Sequence, residues 1–190
     1  MLRYLKEYLT LKNTDTLHNR LSSLTISYKE RAEVLKLLRL KNYYGEITLL
    51  SYCLMPNHFH FFLKQKSSGG MDQFMQSLFT RYTMYFNLRH KRTGKLCQDI
   101  YKAAPIVTEP QFIYISKYIH RQAVASKGST FQSWEGQPSS YEEYLGQRKT
   151  EWVHPEEVLA YFPRANPAKD YKKFVEEQDL RPVGNVLLEE

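Results

Sequence analysis

The chain has 190 residues, of which 42% are hydrophobic and 14% aromatic, with only eight glycines and eight prolines. This length suits one compact domain with at most an appendage, and the composition excludes fibrous and low-complexity proteins. No run of eighteen apolar residues occurs, and no signal-peptide pattern follows Met1. The sequence therefore predicts a cytoplasmic protein that does not enter a membrane. Two cysteines, Cys53 and Cys97, are too few for a disulfide framework or a zinc knuckle.

Charge is distributed unevenly along the chain. The net charge is +7, but residues 1–130 carry 20 Lys and Arg against 8 Asp and Glu, whereas residues 131–190 carry 7 against 12. A basic body followed by an acidic tail favours contact between the body and a polyanion such as nucleic acid. Basic residues that only solvate the surface would give the same balance, so charge alone does not identify the chemistry.

Hydrophobic periodicity and turn residues predict an order of elements that mixes helices with one β-hairpin. In chain order these are helix 2–9, a polar turn-like stretch 10–25, helix 28–41, strands 46–54 and 58–65 joined by the Pro56-Asn57 turn, helix 71–90, an extended segment or short hairpin 96–107, helix 108–127 capped by Thr108 and ended by Gly128, and a last acidic helix 168–179. Because the composition changes after Phe131, residues 1–130 are interpreted as the core and residues 131–190 as a helical appendage.

The long helix 71–90 combines an apolar stripe with a basic end. The stripe is interpreted as core rather than as a platform for base stacking, because it repeats at three- and four-residue intervals. The cluster from Arg89 to Lys95 is the densest basic group in the chain. It fits a solvated helix end, which is favourable to the helix dipole, and equally a contact with a phosphate backbone.

Two histidines open the second strand of the hairpin. Side chains alternate faces along a strand, so His58 and His60 project to one side while Phe59 and Phe61 point the other way, into whatever covers the sheet. Two adjacent imidazoles are half of a divalent-metal site. A half-buried strand whose polar face carries two histidines explains the same pattern, and on the strand alone both interpretations stay open.

Tyr118 and Gln122 lie on the helix predicted over residues 108–127. Four residues separate them, which places both side chains on one helical face. The helix therefore offers a phenol and an amide side by side, next to its apolar stripe.

Several blocks of the sequence resemble one protein family. MPNHFHFFL, then FTRYTMYFN with RTGKL and YKA, and KYIHRQAVA are similar in order and spacing to blocks of the REP-associated tyrosine transposases. These are insertion-sequence-200-like proteins of the single-tyrosine branch of the HUH endonucleases, which carry two histidines flanking a bulky hydrophobic residue. The resemblance covers about residues 2–128, and the order and spacing make it specific.

The resemblance implies an α+β fold with a ferredoxin-like antiparallel sheet, helices on one face, and the histidine pair on its central strand. It implies that His58 and His60 bind a divalent metal, Mg²⁺ or Mn²⁺, with Gln122 as a third ligand and Tyr118 as the catalytic nucleophile. Imidazole ligands alone do not exclude zinc. Family members cleave and rejoin single-stranded hairpin DNA through a covalent phosphotyrosine, and the resemblance leaves monomer and homodimer open.

A basic surface is expected to bind this DNA. Its candidate residues are Arg81, Arg89, Lys91, Arg92, Lys95, Lys102 and Arg121.

The chain departs from the family pattern in three places. Relatives have a strand and an Asn-Arg-Gly motif before the first helix, so an N-terminal strand is expected to be missing here. The usual Phe-Gln-Gly-Arg-Tyr-Lys block reads CQDIYK, and Gln122-Ala123 replaces Asn-Pro. The first departure motivates an alternative function, a catalytically inactive or domesticated protein that only binds hairpin DNA. A metal hydrolase is a weaker alternative, because no third and fourth conventional ligands lie near the histidines in the sequence.

Overall fold

The computed structural model describes residues 1–98, 100–124 and 137–177 and gives the chain an α+β fold, as predicted. The elements are α1 (Leu2–Leu9), α2 (Thr14–Leu21), α3 (Tyr28–Arg39), β1 (Ile47–Leu54), β2 (Phe59–Gln65), α4 (Gly70–His90), α5 (Glu109–Arg121), α6 (Tyr141–Tyr144), α7 (Glu156–Leu159) and α8 (Pro167–Glu176). Within the described residues the sheet has two strands, β1 and β2. The ferredoxin-like arrangement and the missing first strand stay predictions. Of the described helices, none is long and apolar enough to cross a lipid bilayer.

Helix α2 lies in the stretch 10–25 that was predicted to be turn-like, and that prediction was wrong. Asn13 is the N-cap residue, and its Oδ1 accepts a hydrogen bond from the backbone N–H of Thr16 at 2.9 Å. No residue of α2 is buried. The helix therefore has no apolar stripe by which periodicity could detect it.

The other predicted elements agree with the structure except near their ends. Helix α5 ends at Arg121, and the predicted continuation to residue 127 with Gly128 falls partly on residues 125–136, outside the described residues. Residues 96–98 and 100–107 form neither helix nor strand, which excludes the short hairpin. The predicted boundary after residue 130 also falls outside the described residues and stays a prediction.

The chain forms two compact units, and the first contains residues 1–47 and 65–82. Its core includes a cluster of three buried rings. The ring centroid of Tyr43 lies 5.6 Å from that of Tyr8 and 5.4 Å from that of Phe74. The hydroxyl of Tyr43 donates to the carbonyl of Gln73 at 2.9 Å, and the hydroxyls of Tyr8 and Ser77 are 2.9 Å apart. These bonds satisfy the polar ends of both tyrosines where burial would otherwise cost free energy.

The second unit contains residues 48–64 and 83–190 and is built around the hairpin. Strand β1 has neighbours on both edges. It pairs with β2 on one edge, and on the other an antiparallel bridge joins Cys53 to Ser139. The backbone of Leu54 donates to the carbonyl of Pro138 at 2.8 Å, and that of Ser140 to the carbonyl of Tyr52 at 3.0 Å. The chain beyond residue 137 thus runs along the outer edge of β1.

Side chains reinforce this edge. Trp152 stacks on Tyr52 with ring centroids 5.6 Å apart and an interplanar angle of 26°. Arg148 donates to the buried carboxylate of Glu143 at 2.6 Å and to the carbonyl of Ser139. A buried carboxylate needs such a partner, because an unpaired charge in the interior is strongly destabilising.

The core of the second unit joins the hairpin to α5 and to the C-terminal helices. Leu50 of β1 and Ile119 of α5 belong to one buried cluster together with Tyr144, Val158 and Tyr171. Helix α5 packs against both α7 and α8. The described residues 137–177 therefore share their apolar core with the hairpin and α5.

Helix α5 begins in a capping box, which gives a test of its local stability. The hydroxyl of Thr108 accepts from the backbone N–H of Gln111, whose side chain accepts in return from the N–H of Thr108. We expect Thr108→Ala to lower the free energy of unfolding by about 1 kcal/mol in urea denaturation. Thr108→Ser keeps the hydroxyl and is the control; equal losses for both variants would contradict the role of the cap.

Candidate active site

The two histidines lie on one face at the start of β2. His58 directly precedes the strand and His60 is its second residue. Their ring centroids are 5.0 Å apart with an interplanar angle of 86°, while the rings of Phe59 and Phe61 lie 4.8 Å apart. The alternation follows the period of two expected for a strand.

Helix α5 covers the histidine face of this strand. Phe62, two residues beyond His60, is 5% exposed and packs against Phe112 of α5 with ring centroids 5.0 Å apart. Phe59 and Phe61, which the sequence placed toward the covering layer, are only partly buried. His60, which is partly buried, therefore faces into the packing between β2 and α5, whereas His58 is exposed.

Tyr118 reaches this face from α5. Its ring lies edge-on to His60, with centroids 5.5 Å apart and an interplanar angle of 85°. Nε2 of His60 is shielded from solvent. Neighbouring residues fix this part of α5, because Ile119 is buried in the core and the Ser116 hydroxyl donates to the carbonyl of Ile113 at 2.7 Å. The structure thus brings the predicted nucleophile into ring contact with one predicted metal ligand.

His58 is oriented by its neighbour in the turn. Nδ1 of His58 lies 2.7 Å from Oδ1 of Asn57, an amide oxygen that accepts a hydrogen bond. With the proton held on Nδ1, the lone pair of Nε2 is left for a metal ion, which is how metal-binding histidines are commonly arranged. From the sequence Asn57 was predicted only as a turn residue, although its place directly before the first histidine was a signal for a contact with that ring.

The donor set fits a partial metal site. His58 and His60 supply two imidazoles, and within the described residues no group of three or more His, Cys, Asp and Glu could hold a metal ion. Among the described residues, a third protein ligand would therefore be of another type. Gln122 follows the last residue of α5 with helical backbone angles (φ −62°, ψ −30°), one turn beyond Tyr118. Its position agrees with a ligand on the Tyr118 side of the helix, and its ligand role stays a prediction.

The predicted DNA-binding residues fall into different environments. Those in the last turn of α4 or in the segment that follows this helix are exposed: Arg89, Lys91, Arg92, Lys95 and Lys102. The loop that carries most of them is held by Asn87, whose side chain donates to the carbonyl of Gly94 at 2.8 Å and whose carbonyl accepts from the N–H of Arg92 at 2.9 Å. This ordered basic loop is suited to a phosphate backbone.

Arg81 and Arg121 are engaged within the protein. Within the first unit, Arg81 forms an ion pair with Glu7, is 15% exposed, and lies over the ring of Tyr4 at 4.2 Å. A phosphate contact by Arg81 would require this pair to break, which argues against the predicted role. Arg121 donates to the backbone carbonyl of Glu177 at 3.3 Å in the second unit.

His120 is a second residue to which the sequence assigned no role. It is completely buried, with Nδ1 2.6 Å from the hydroxyl of Tyr171 and Nε2 2.8 Å from the hydroxyl of Ser140. Burial lowers the pKa of His120 to about 3, so the ring is neutral at physiological pH. In the sequence, the position of His120 next to the apolar stripe of α5 was the available signal that this histidine is buried.

A comparison with known protein families places the chain in a class of transposases. Residues 17–122, more than half of the chain, match the family described as Transposase IS200 like, and the chain belongs to that family. No curated protein and no solved structure matches the chain. Family membership confirms the predicted insertion-sequence-200-like family, and the REP-associated subtype stays a prediction. It gives the chain a transposase-like function in processing DNA, with DNA as its partner.

Proposed function

We propose that the chain is a REP-associated tyrosine transposase that cleaves and rejoins single-stranded hairpin DNA through Tyr118. The observation that carries the proposal is the 5.5 Å separation between the ring centroids of Tyr118 and His60. The two residues are distant in sequence, and both lie in the range matched by the family. A phenol beside a histidine pair is the arrangement that nucleophilic attack on a phosphodiester needs.

In the proposed reaction, Oη of Tyr118 attacks the phosphorus of a DNA phosphodiester. An Oη–P bond forms and the P–O3′ bond breaks; the phenol gives up its proton, and the departing 3′ oxygen takes one up. One phosphodiester is exchanged for another, so the step needs no external energy and is reversible. Attack by the 3′ hydroxyl of an incoming strand restores the DNA backbone and releases Tyr118.

The unassisted phenol is a poor nucleophile near neutral pH, because the pKa of tyrosine is about 10. A bound Mg²⁺ or Mn²⁺ would supply stabilisation of the negative charge on the phosphate. His58 and His60 are the residues that would hold it, with Gln122 as the proposed third ligand. Asn57 would keep His58 in the tautomer that can bind, and α5 would hold the Tyr118 ring against His60.

The exposed basic loop after α4 is the proposed contact with the DNA backbone. Lys91 and Lys95 are exposed there, as is Arg89 in the last turn of α4, and Arg92 lies over the ring of Phe86 at 5.7 Å. Contacts of this kind give affinity without sequence specificity and weaken as salt rises. Arg81 is left out of the proposed contact because Glu7 already pairs with it.

The proposal is tested by incubating the protein with a labelled single-stranded hairpin oligonucleotide and Mn²⁺. We expect a covalent protein–DNA adduct that survives denaturing electrophoresis and disappears after protease treatment. A chelator should prevent its formation. Hairpin binding that is sensitive to salt but gives no adduct in Mn²⁺ would contradict the proposal and support the inactive DNA-binding alternative.

A further inference from the structure

Helix α5 presents opposite faces to two different parts of the second unit. Tyr118 faces β2, where it contacts His60. His120 is two residues further on, about 200° around the helix axis. It points into the core formed with the chain beyond residue 137, where its ring lies 4.6 Å from that of Tyr144 in an edge-on arrangement. A displacement of His120 would therefore move Tyr118 as well, because both belong to one rigid helical turn.

Both ring nitrogens of His120 are engaged, and each partner belongs to a different element. Tyr171 lies on α8, whereas Ser140 lies at the outer edge of β1. The same Ser140 hydroxyl accepts a hydrogen bond from the backbone N–H of Tyr52 at 2.8 Å. One neutral imidazole, which donates through one nitrogen and accepts through the other, thus joins α5 to α8 and to β1.

These bonds close a loop of contacts around the candidate active site. Strand β1 pairs with β2, which carries His60, and the Ser140 hydroxyl links β1 to His120 on α5. Tyr118 on the opposite face of α5 then returns to His60. Fully satisfied buried networks of this type fix a single arrangement of the elements that they join.

We propose that His120, held by Ser140 and Tyr171, is a positioning residue that sets the place of Tyr118 relative to the histidine pair. Ser140 and Tyr171 lie beyond residues 17–122, so the chain outside the family match would complete the geometry of the site within it. The inference rests on the proposed function of Tyr118 as nucleophile. It adds that residues 137–177 are required for the rate of DNA cleavage and not for the binding of DNA.

The test uses the full chain and the variant Tyr171→Phe, which removes one hydroxyl and keeps the ring. We expect the rate of adduct formation under saturating hairpin DNA to fall by about 10- to 100-fold, the scale of a nucleophile displaced by up to 1 Å. The dissociation constant for the hairpin should change by less than about 2-fold, because the basic loop is far along the chain from α8 and its contacts are unaltered.

Two matched variants separate positioning from general stability. Val175→Ala removes buried methyl groups from the same helix, α8, and removes no hydrogen bond of the network. Tyr161→Phe removes the hydroxyl of a half-exposed tyrosine whose ring contacts Phe112 on α5 at 5.7 Å. Both should keep the wild-type rate at temperatures where they are folded. An equal fall in rate for Val175→Ala and Tyr171→Phe at matched stability would overturn the positioning role.

A second readout does not depend on DNA cleavage. Nuclear Overhauser effects between the ring protons of Tyr118 and His60 should be present in the wild type and weakened in Tyr171→Phe. If these effects are lost in Tyr171→Phe, the positioning role is supported whether or not the wild type forms an adduct. If the wild type forms no adduct, only the proposed function fails. Unchanged effects together with an unchanged adduct rate overturn the positioning role and leave the proposed function intact.

Discussion

Replacement of Tyr118 by phenylalanine is expected to abolish the covalent adduct with hairpin DNA. The variant loses only the oxygen that would bond to phosphorus, while the ring that contacts His60 at 5.5 Å remains. The expected loss is at least about 10³-fold in the rate of adduct formation, since removal of a nucleophile eliminates the covalent step. Denaturing electrophoresis of the labelled oligonucleotide measures it.

The matched control for this variant is Tyr114→Phe. Tyr114 lies one turn earlier on α5 and is partly buried, so the change is chemically identical on the same helix. We expect Tyr114→Phe to form the adduct at the wild-type rate, and both variants to bind the hairpin with unchanged affinity. An adduct that persists in Tyr118→Phe and is lost in Tyr114→Phe would move the nucleophile to Tyr114.

Acidification is expected to destabilise the fold through His120. The pKa of this imidazole falls to about 3 because burial disfavours the charged form, whereas in the unfolded chain it is near 6.5. Between these values the unfolded state binds a proton that the folded state does not, so stability rises with pH in this range. From about pH 6.5 toward 3, His120 should therefore lower the free energy of unfolding by up to about 1.4 kcal/mol per pH unit.

In the part of the chain that the structure describes, the groups that contact His120 do not offset this effect. The side chains that face it from α6, α8 and the edge of β1 are Tyr141, Tyr144, Tyr171 and Ser140. Burial raises the pKa values of the three tyrosines, that of Tyr141 to about 12, so all three are neutral in acid. None of these groups carries a negative charge that could stabilise an imidazolium.

Urea denaturation at a series of pH values measures this dependence, and comparison with His120→Gln isolates the contribution of His120 from that of the carboxylates. The variant is expected to be less stable than the wild type at pH 7 but to show a shallower loss between pH 6.5 and 5. Parallel stability curves for the two proteins would show that His120 does not carry the pH dependence.

The amino-acid sequence by itself determined the local features of the site. The alternation that puts His58 and His60 on one face, the Thr108 cap of α5 and the four-residue spacing of Tyr118 and Gln122 depend on residues a few positions apart. Local backbone geometry fixes such features, and they were predicted correctly as far as the structure describes them. The resemblance in the residue blocks likewise predicted the family that the comparison confirms.

Only the tertiary structure decided which side chains meet across the chain. Arg81 pairs with Glu7 instead of remaining on the surface, and α5 covers the histidine face of β2 through Phe62. His120 joins Ser140 and Tyr171, which no local pattern connects to it. Burial and buried hydrogen bonds arise from segments far apart in sequence, and their free energies depend on neighbours that periodicity and capping signals do not contain.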